Sequence, residues 1–379
     1  MAQVRIYYFI DPKSGTDLTY SYQFSESEAD MEPPSGMVEF HKKNFCHYFQ
    51  LTPEEFRGKS VLETGAGPGK HAAVLHLLGT LVTAVDLLES NVQAILRLKN
   101  AHNFSNLIAR RADLMEPLPE DWPEYDLISA HNWLQHTENP GTVLANLVKK
   151  LKIGGRLYLS VYQSDTFRFF IDQIARSMLK WSDREVTLRL IPFCFPTGFS
   201  EYENPDDIYF ENILDDFFVP YMWTFRYESL VRFLEGLGCK PMVPLQGREN
   251  LYEIDNEPLK IGLVKTSEKG PENINLEYTI DQFDLSYVEN SGDREYIANT
   301  VKWARQAIDL LRSTGEEEAY ARAAFSLGLY RLRGTTSRER GVKEKHKALQ
   351  SYLQGFVTGD LNSIRAWESS RRYYARGSK

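Results

Sequence analysis

Between about residues 57 and 162, short apolar runs alternate with stretches whose apolar residues recur at helical spacing. Val61 and Leu62 end a first strand. It runs into the turn Gly65-Ala-Gly67-Pro-Gly69, and Lys70–Leu78 then opens a helix. Leu81-Val-Thr-Ala-Val-Asp86 is apolar and β-branched and reads as a second strand. Leu107–Leu114 reads as a third, Tyr125–His131 as a fourth and Lys152–Val161 as a fifth. Strands that alternate with helices predict an α/β fold, an open and mostly parallel sheet with helices on both faces. Polar residues at the strand tips (Glu63, Asp86, Asp113, His131) mark the carboxyl edge, where such sheets bind ligands.

The flanks carry other patterns. Val4–Ile10 and Leu18–Phe24 are aromatic and β-branched, with turn chemistry at Asp11-Pro-Lys-Ser-Gly15, and predict a β-hairpin. Ser25–Gly36 reads as a loop and Val38–Leu51 as a lid helix. Thr52-Pro-Glu-Glu55 has the residues of a helix start, with Thr52 as N-cap, Pro53 at N1 and Glu55 at N3. Past the fifth strand, Asp165–Trp181 is amphipathic, Leu188–Phe199 is aromatic and broken by prolines, and Arg226–Leu237 is a helix ended by Gly238. Pro241–Leu245 and Lys260–Thr266 are expected as the last two strands. Asp293–Leu311, Glu316–Leu332 and Glu339–Val357 carry helical stripes. The expected organisation is a hairpin and lid helix over 1–50, a core over 51–268 with an aromatic-rich insertion at about 163–225, and a helical region over 285–379.

The glycine turn carries the first chemical signal. Its spacing is G-x-G-x-G, not the G-x-G-x-x-G of dinucleotide sites. Glu63 precedes the first glycine by two residues, and a carboxylate there repels a pyrophosphate at the helix N-terminus. It suits a ligand with a cationic ammonium and no phosphate, which describes S-adenosylmethionine. Asp86, at the next strand tip about twenty residues on, is placed to hydrogen-bond a ribose diol.

With these residues in hand, 57–162 resembles the core of a class I S-adenosylmethionine-dependent methyltransferase of the small-molecule type. Arg57–Gly69 matches the family's first motif, Thr83–Asp86 the second-strand acid and Ala112-Asp-Leu114 the adenine-side motif. Tyr125–Pro140 resembles the fourth-strand segment, and Lys152-Ile-Gly-Gly155 the turn of the fifth strand. Asp216–Tyr221 with Tyr227-Glu228 resembles a turn found before the last hairpin in some members. The resemblance implies a Rossmann-like seven-stranded sheet and S-adenosyl-L-methionine as cofactor. It implies that Glu63, Gly65, Ala66, Gly67, Gly69, Asp86, Leu87, Asn91, Ala112, Asp113, Leu114 and His131 surround that cofactor. A turn cap is the alternative for Asp113, and Glu228 reads more simply as a helix cap.

An acceptor that must lose a proton needs a base, and imidazole is the side chain suited to that near neutral pH. His131 and His136 come after the fourth strand, where the family places residues near the transferred methyl, and both are catalytic candidates. Packing or helix capping is the alternative for each. His71, His76 and His102 are explained by packing or solvent, and His41, His47 and His346 fall outside the core. Aromatic residues of the variable region, among them Phe167, Phe170, Tyr221 and Trp223, either line an acceptor pocket or pack on the sheet.

Charge and cysteine content narrow the classes. The formal net charge is -8, which argues against a nucleic-acid partner. Basic residues gather from Arg331 onward. The cysteines Cys46, Cys194 and Cys239 show neither disulfide nor metal spacing, so no metal is expected and a reducing cytoplasm is. No leader and no membrane span are expected. The segment His131-Asn-Trp-Leu134 lacks the Asp/Asn-Pro-Pro-Tyr of enzymes that act on nucleobase or glutamine amines. The leading expectation is methyl transfer to O or N of a small molecule. The alternatives are a peptide or protein methyltransferase that docks through the C-terminal helices, and a non-catalytic cofactor-binding subunit. The same helices suggest a homo-oligomer.

Overall fold

The computed structural model describes residues 35–163, 221–243 and 258–269, with isolated residues beyond (278–279, 306, 353–354 and 358). The expected N-terminal hairpin, the helix over 165–181 and the three C-terminal helices lie outside the described residues. The chain divides into two compact units, one of residues 1–162, 219–246 and 258–278, the other of residues 163–218, 247–257 and 279–379. The first unit contains a seven-stranded sheet.

The elements of this unit, in chain order, are α1 (Ser35–Phe49), β1 (Ser60–Thr64), α2 (Lys70–Leu77), β2 (Leu81–Asp86), α3 (Glu89–His102), β3 (Leu107–Arg111), β4 (Tyr125–His131), α4 (Pro140–Lys149), β5 (Leu151–Val161), α5 (Tyr227–Gly236), β6 (Cys239–Pro241) and β7 (Leu259–Lys265). The strands lie in the order β3-β2-β1-β4-β5-β7-β6. β1 to β5 run parallel, β7 is antiparallel to β5, and β6 is antiparallel to β7. Chain order reverses between β1 and β4, and the crevice beyond their carboxyl ends is the place this topology offers a ligand.

Side-chain alternation divides the core between two faces. Val61, Leu127 and Tyr158 belong to one apolar cluster, with Phe45 and Phe49 of α1, Ala73 of α2 and Leu98 of α3. Their neighbours Leu62, Ile128 and Leu157 belong to the other, with Leu144 of α4 and Phe233 of α5. Both faces are covered, which is why the strands read as continuous apolar runs.

α1 is fastened at its end. Gln50 takes a left-handed φ of 50°. Leu51 N–H donates to the Cys46 carbonyl at 3.1 Å and Gln50 N–H to the His47 carbonyl at 3.2 Å, a Schellman stop. The Arg156 guanidinium of β5 donates to the carbonyls of Phe49 and, at 2.6 Å, Gln50. Gly262 of β7 admits the Tyr48 carbonyl so closely that a Cβ there would collide with it.

Three boundaries differ from expectation. Thr52-Pro-Glu-Glu opens only a 3-10 turn, Pro53–Phe56, in which Thr52 N–H donates to Glu55 Oε2 at 2.7 Å. β3 stops at Arg111, so Asp113 lies past the strand in a turn. β6 spans Cys239–Pro241, not 241–245, because Gly238 (φ 87°) reverses the chain directly after α5. Among the described residues, no helix is long and apolar enough to cross a membrane.

Candidate functional site

The glycine turn joins β1 to α2 with left-handed backbone at Gly65 (φ 56°), Gly67 (52°) and Gly69 (93°). Ala66 N–H donates to the Val85 carbonyl at 3.0 Å, which ties the turn to β2. A Cβ on Gly69 would press on Ile95 and Leu98 of α3 at 3.1 and 3.2 Å, so this glycine serves helix packing. A Cβ on Gly65 would strike the Trp133 ring, which lies over the turn. The Trp133 indole N–H is buried with no hydrogen-bond partner.

Beneath the turn sits Glu63. Its side chain is 1 % exposed, and neither carboxylate oxygen has a hydrogen-bond partner. The nearest basic atom is His71 Nδ1, 3.6 Å from Oε1. Burying a carboxylate without donors is costly, and the cost is retained here at the site where the sequence places a ligand ammonium.

Asp86 is better served. Oδ2 accepts from Gly67 N–H at 2.9 Å, and Oδ1 accepts from Leu88 N–H and the Asn91 amide at 3.0 Å each. A carboxylate offers about four acceptor sites. Three are used by these bonds, and the Leu87 N–H also favours the ionised carboxylate. Burial pushes the Asp86 carboxyl up, and the bonds from Leu88, Asn91 and Gly67 only partly oppose it. Asn91, 2 % exposed, orients Asp86. Leu87 is half-buried, and its carbonyl accepts from Arg111 Nε at 2.9 Å.

Past the end of β3, Ala112 N–H donates to the Asp86 carbonyl at 3.1 Å. Asp113 is exposed and accepts from Met115 N–H at 2.9 Å, so its side chain caps the turn. Leu114 is buried in the core cluster. The loop is held from below by Asn146 of α4, whose amide lies within 3.1–3.2 Å of the carbonyls of Leu114, Met115 and Glu116. No motif pointed to Asn146. A buried asparagine on an otherwise apolar helix face was the available signal.

The two candidate histidines part company. His131, the last residue of β4, faces the Glu63 side. Its ring centroid lies 4.3 Å from that of His71 and 5.7 Å from that of His41, and His41 and His71 are 4.3 Å apart. Their ligand atoms all lie within 4.8 Å of one another. Burial, then the His71 and His41 imidazoles and Lys260, hold His131 well below the usual imidazole range. Burial, His71 and Lys260 bring His41 down to about 4. This trio was not legible in the sequence, because residues 41, 71 and 131 match no ligand spacing and come from three elements.

His136 lies in the 3-10 turn Leu134–His136 and is 3 % exposed. Its Nδ1 is 3.1 Å from the Tyr221 carbonyl. A carbonyl only accepts, so Nδ1 carries the proton and Nε2 presents the lone pair. The ring meets Tyr162 edge-on at 5.4 Å. Beside it, Trp223 Nε1 donates to the Thr137 carbonyl at 2.6 Å and Trp223 N–H to the Gln135 carbonyl at 2.8 Å. The Gln135 side chain is fully buried with neither amide atom partnered. Glu228 stands in the first turn of α5, at the positive end of its dipole. Asp216 and the aromatic residues 167–199 lie outside the described residues.

Comparison with known proteins agrees with this arrangement. Residues 37–209 match a family model described as a methyltransferase domain. A ubiquinone biosynthesis O-methyltransferase of Coxiella burnetii is 29 % identical over 141 residues, 36 % of this chain and 59 % of the relative. One of Rickettsia bellii is 26 % identical over 164 residues, 43 % of this chain and 61 % of the relative. The chain thus spans about three fifths of the length of these relatives. The solved 1,6-didemethyltoxoflavin-N1-methyltransferase of Burkholderia thailandensis is 17 % identical, with a TM-score of 0.39, over 69 % of this chain and 93 % of that one. The sheet order, the left-handed glycine turn and the buried acids at the tips of β1 and β2 accord with the methyltransferase domain that the family model matches over residues 37–209.

Proposed function

We propose that this chain moves a methyl group from S-adenosylmethionine to an oxygen or nitrogen of a small organic acceptor. The observation that carries the reading is Glu63, a carboxylate buried at the glycine turn with no hydrogen-bond donor on either oxygen. An α-ammonium is the complement it lacks, and Asp86, the acid at the next strand tip, is the partner for a ribose hydroxyl. The names of the relatives, O-methyltransferases of ubiquinone biosynthesis, support oxygen as the acceptor atom.

The cofactor, when bound, supplies a methyl activated by its sulfonium. The protein's own work is to align, to exclude water and to move a proton. Glu63 and Asp86 fix two ends of the ligand at the carboxyl edge. His136 Nε2, oriented by the Tyr221 carbonyl behind Nδ1, takes the acceptor's proton as the new bond forms. Burial, then His71 and His41, hold His131 well below the usual imidazole range, which makes it the poorer base of the two.

The test joins calorimetry with S-adenosylhomocysteine to a turnover screen over phenolic and amine acceptors. Glu63→Gln keeps the shape and removes the charge, and it should weaken binding about 10- to 100-fold, the equivalent of one charge-assisted hydrogen bond of roughly 1.5–3 kcal/mol. Wild-type binding with no product from either acceptor class would favour the non-catalytic subunit. No binding at all would end the cofactor reading.

A further inference from the structure

His41 on α1, His71 at the start of α2 and His131 at the tip of β4 converge on one point, and methyl transfer does not require three imidazoles there. We propose that these histidines bind a single late first-row divalent metal ion of the zinc class. The geometry is that of an open three-ligand site in its metal-free spacing. The ligand atoms lie within 4.8 Å of one another. Metal–nitrogen bonds of about 2.0–2.1 Å at tetrahedral angles need nitrogens about 3.3 Å apart. The rings must therefore draw together by about 1.5 Å at the widest pair, an adjustment on the scale of side-chain rotation.

Two features distinguish this cluster from packed histidines. Glu63 Oε1 stands 3.6 Å from His71 Nδ1, with no other donor, and it can hold that ring so that Nε2 faces the ion. A carboxylate behind a ligating histidine is the usual support of such sites. The donor set is also all imidazole, which selects zinc, copper, nickel or cobalt over magnesium and calcium. Lys260 is the opposing feature. It stands opposite Ser160, which in turn pairs with His131 in the sheet register, and a cation so placed weakens the site without belonging to it. Three protein ligands leave a coordination position open.

One consequence rests on the cofactor reading above. Glu63 serves either the cofactor's ammonium or the metal-bound His71, and two cations so close repel. Metal and cofactor therefore antagonise each other, each weakening the other by the same factor.

The experiment uses the full chain, stripped with chelator and titrated with Co2+ by visible absorption and with Zn2+ by calorimetry. One equivalent per chain should give the intense d–d bands of a low-coordinate cobalt site. His71→Ala and His131→Ala should each weaken Zn2+ at least tenfold, and Glu63→Gln by about 10- to 100-fold. His47→Ala, an exposed histidine outside the trio, should change nothing. Lys260→Met should tighten Zn2+ binding several-fold; it leaves all three ligands in place and keeps the test decisive if a histidine variant fails to fold. Absent cobalt bands, or Zn2+ affinity indifferent to both Lys260→Met and Glu63→Gln, overturn the site. Saturating Zn2+ should weaken S-adenosylhomocysteine at least tenfold. An unchanged affinity overturns the antagonism, whereas failure of the metal-free chain to bind S-adenosylhomocysteine counts against the cofactor reading and leaves the metal site standing.

Discussion

At His136 the deciding neighbour is the Tyr221 carbonyl, which fixes the tautomer and leaves Nε2 as the basic atom. His131 lies five residues earlier in the chain among other imidazoles that lower its basicity. Their positions in the sequence made them equal candidates, and only the contacts separate them. His136→Ala should therefore lose about 10²–10⁴ in turnover with S-adenosylhomocysteine affinity nearly unchanged, and the acid limb of its pH–rate profile should flatten. Full activity of that variant across pH 6–9 would leave proximity and desolvation as the whole mechanism. Asp86 calls for a different experiment, because it orders the turn and is also the proposed ribose partner. Asn91→Ala removes one internal donor and leaves the carboxylate in place. Cofactor affinity should fall only a few-fold in that variant, and much further in Asp86→Ala, where the ribose partner and the bond to Gly67 N–H go together. Equal losses in calorimetry would mean that Asp86 acts through the turn alone.

Among the elements, β2 and β4 were legible to the residue: β2 is an apolar β-branched run that ends at Asp86, and β4 is a mostly buried strand segment that ends at the polar tip His131. β6 was displaced because no local sign in the sequence marks Gly238 as turning directly into the sheet, and Pro241, which cannot donate to the ladder, closes the strand instead of opening it. α1 could be read as a helix, but not as a part of the site. What brings His41 to His71 and His131 is the seat of α1 on β5 and β7, through Arg156 and the close approach of Tyr48 to Gly262. A single glycine in a strand carries that information, and sequence alone cannot tell whether it marks a bulge or an approaching backbone. Gly262→Val should push α1 from its seat. Overpacking of this kind costs about 1–3 kcal/mol, and S-adenosylhomocysteine affinity should fall although no proposed ligand has changed. Urea midpoints and calorimetry check both. An unaltered affinity together with an unaltered midpoint would show that α1 is not held there.

On the scale of the whole molecule, the sequence suggested an insertion after β5 and a separate C-terminal region. Both lie almost wholly outside the described residues. In the unit that holds the sheet, the two edges of the sheet divide the labour. The carboxyl edge holds Glu63, Asp86 and the histidines. Towards the amino edge, Asp126 ties the starts of three strands. Its Oδ2 accepts from Ser60 N–H at 2.8 Å and Ser60 Oγ at 2.9 Å, and its Oδ1 from Lys152 Nζ at 2.8 Å. Partial burial pushes this carboxyl up, but the bonds from Lys152 and Ser60 outweigh it and hold Asp126 below the usual carboxylate range. A depressed folded-state pKa contributes stability above the unfolded value, near 3.8, that is lost as pH falls through the folded value. The wild type should thus lose this contribution as pH falls below about 4. Asp126→Asn should be less stable at pH 7 by roughly 1 kcal/mol, an amount kept small because the carboxylate is partly exposed and screened. Its curve should also be flatter in acid, so that the two proteins converge at low pH. Urea midpoints from pH 2.5 to 7 on chelated, ligand-free protein measure this. Cofactor affinity at pH 7 should not differ, because the substitution lies at the far edge of the sheet. Parallel stability curves would remove Asp126 from the acid response, and a fall in affinity would mean that the two edges are coupled through β1 and β4.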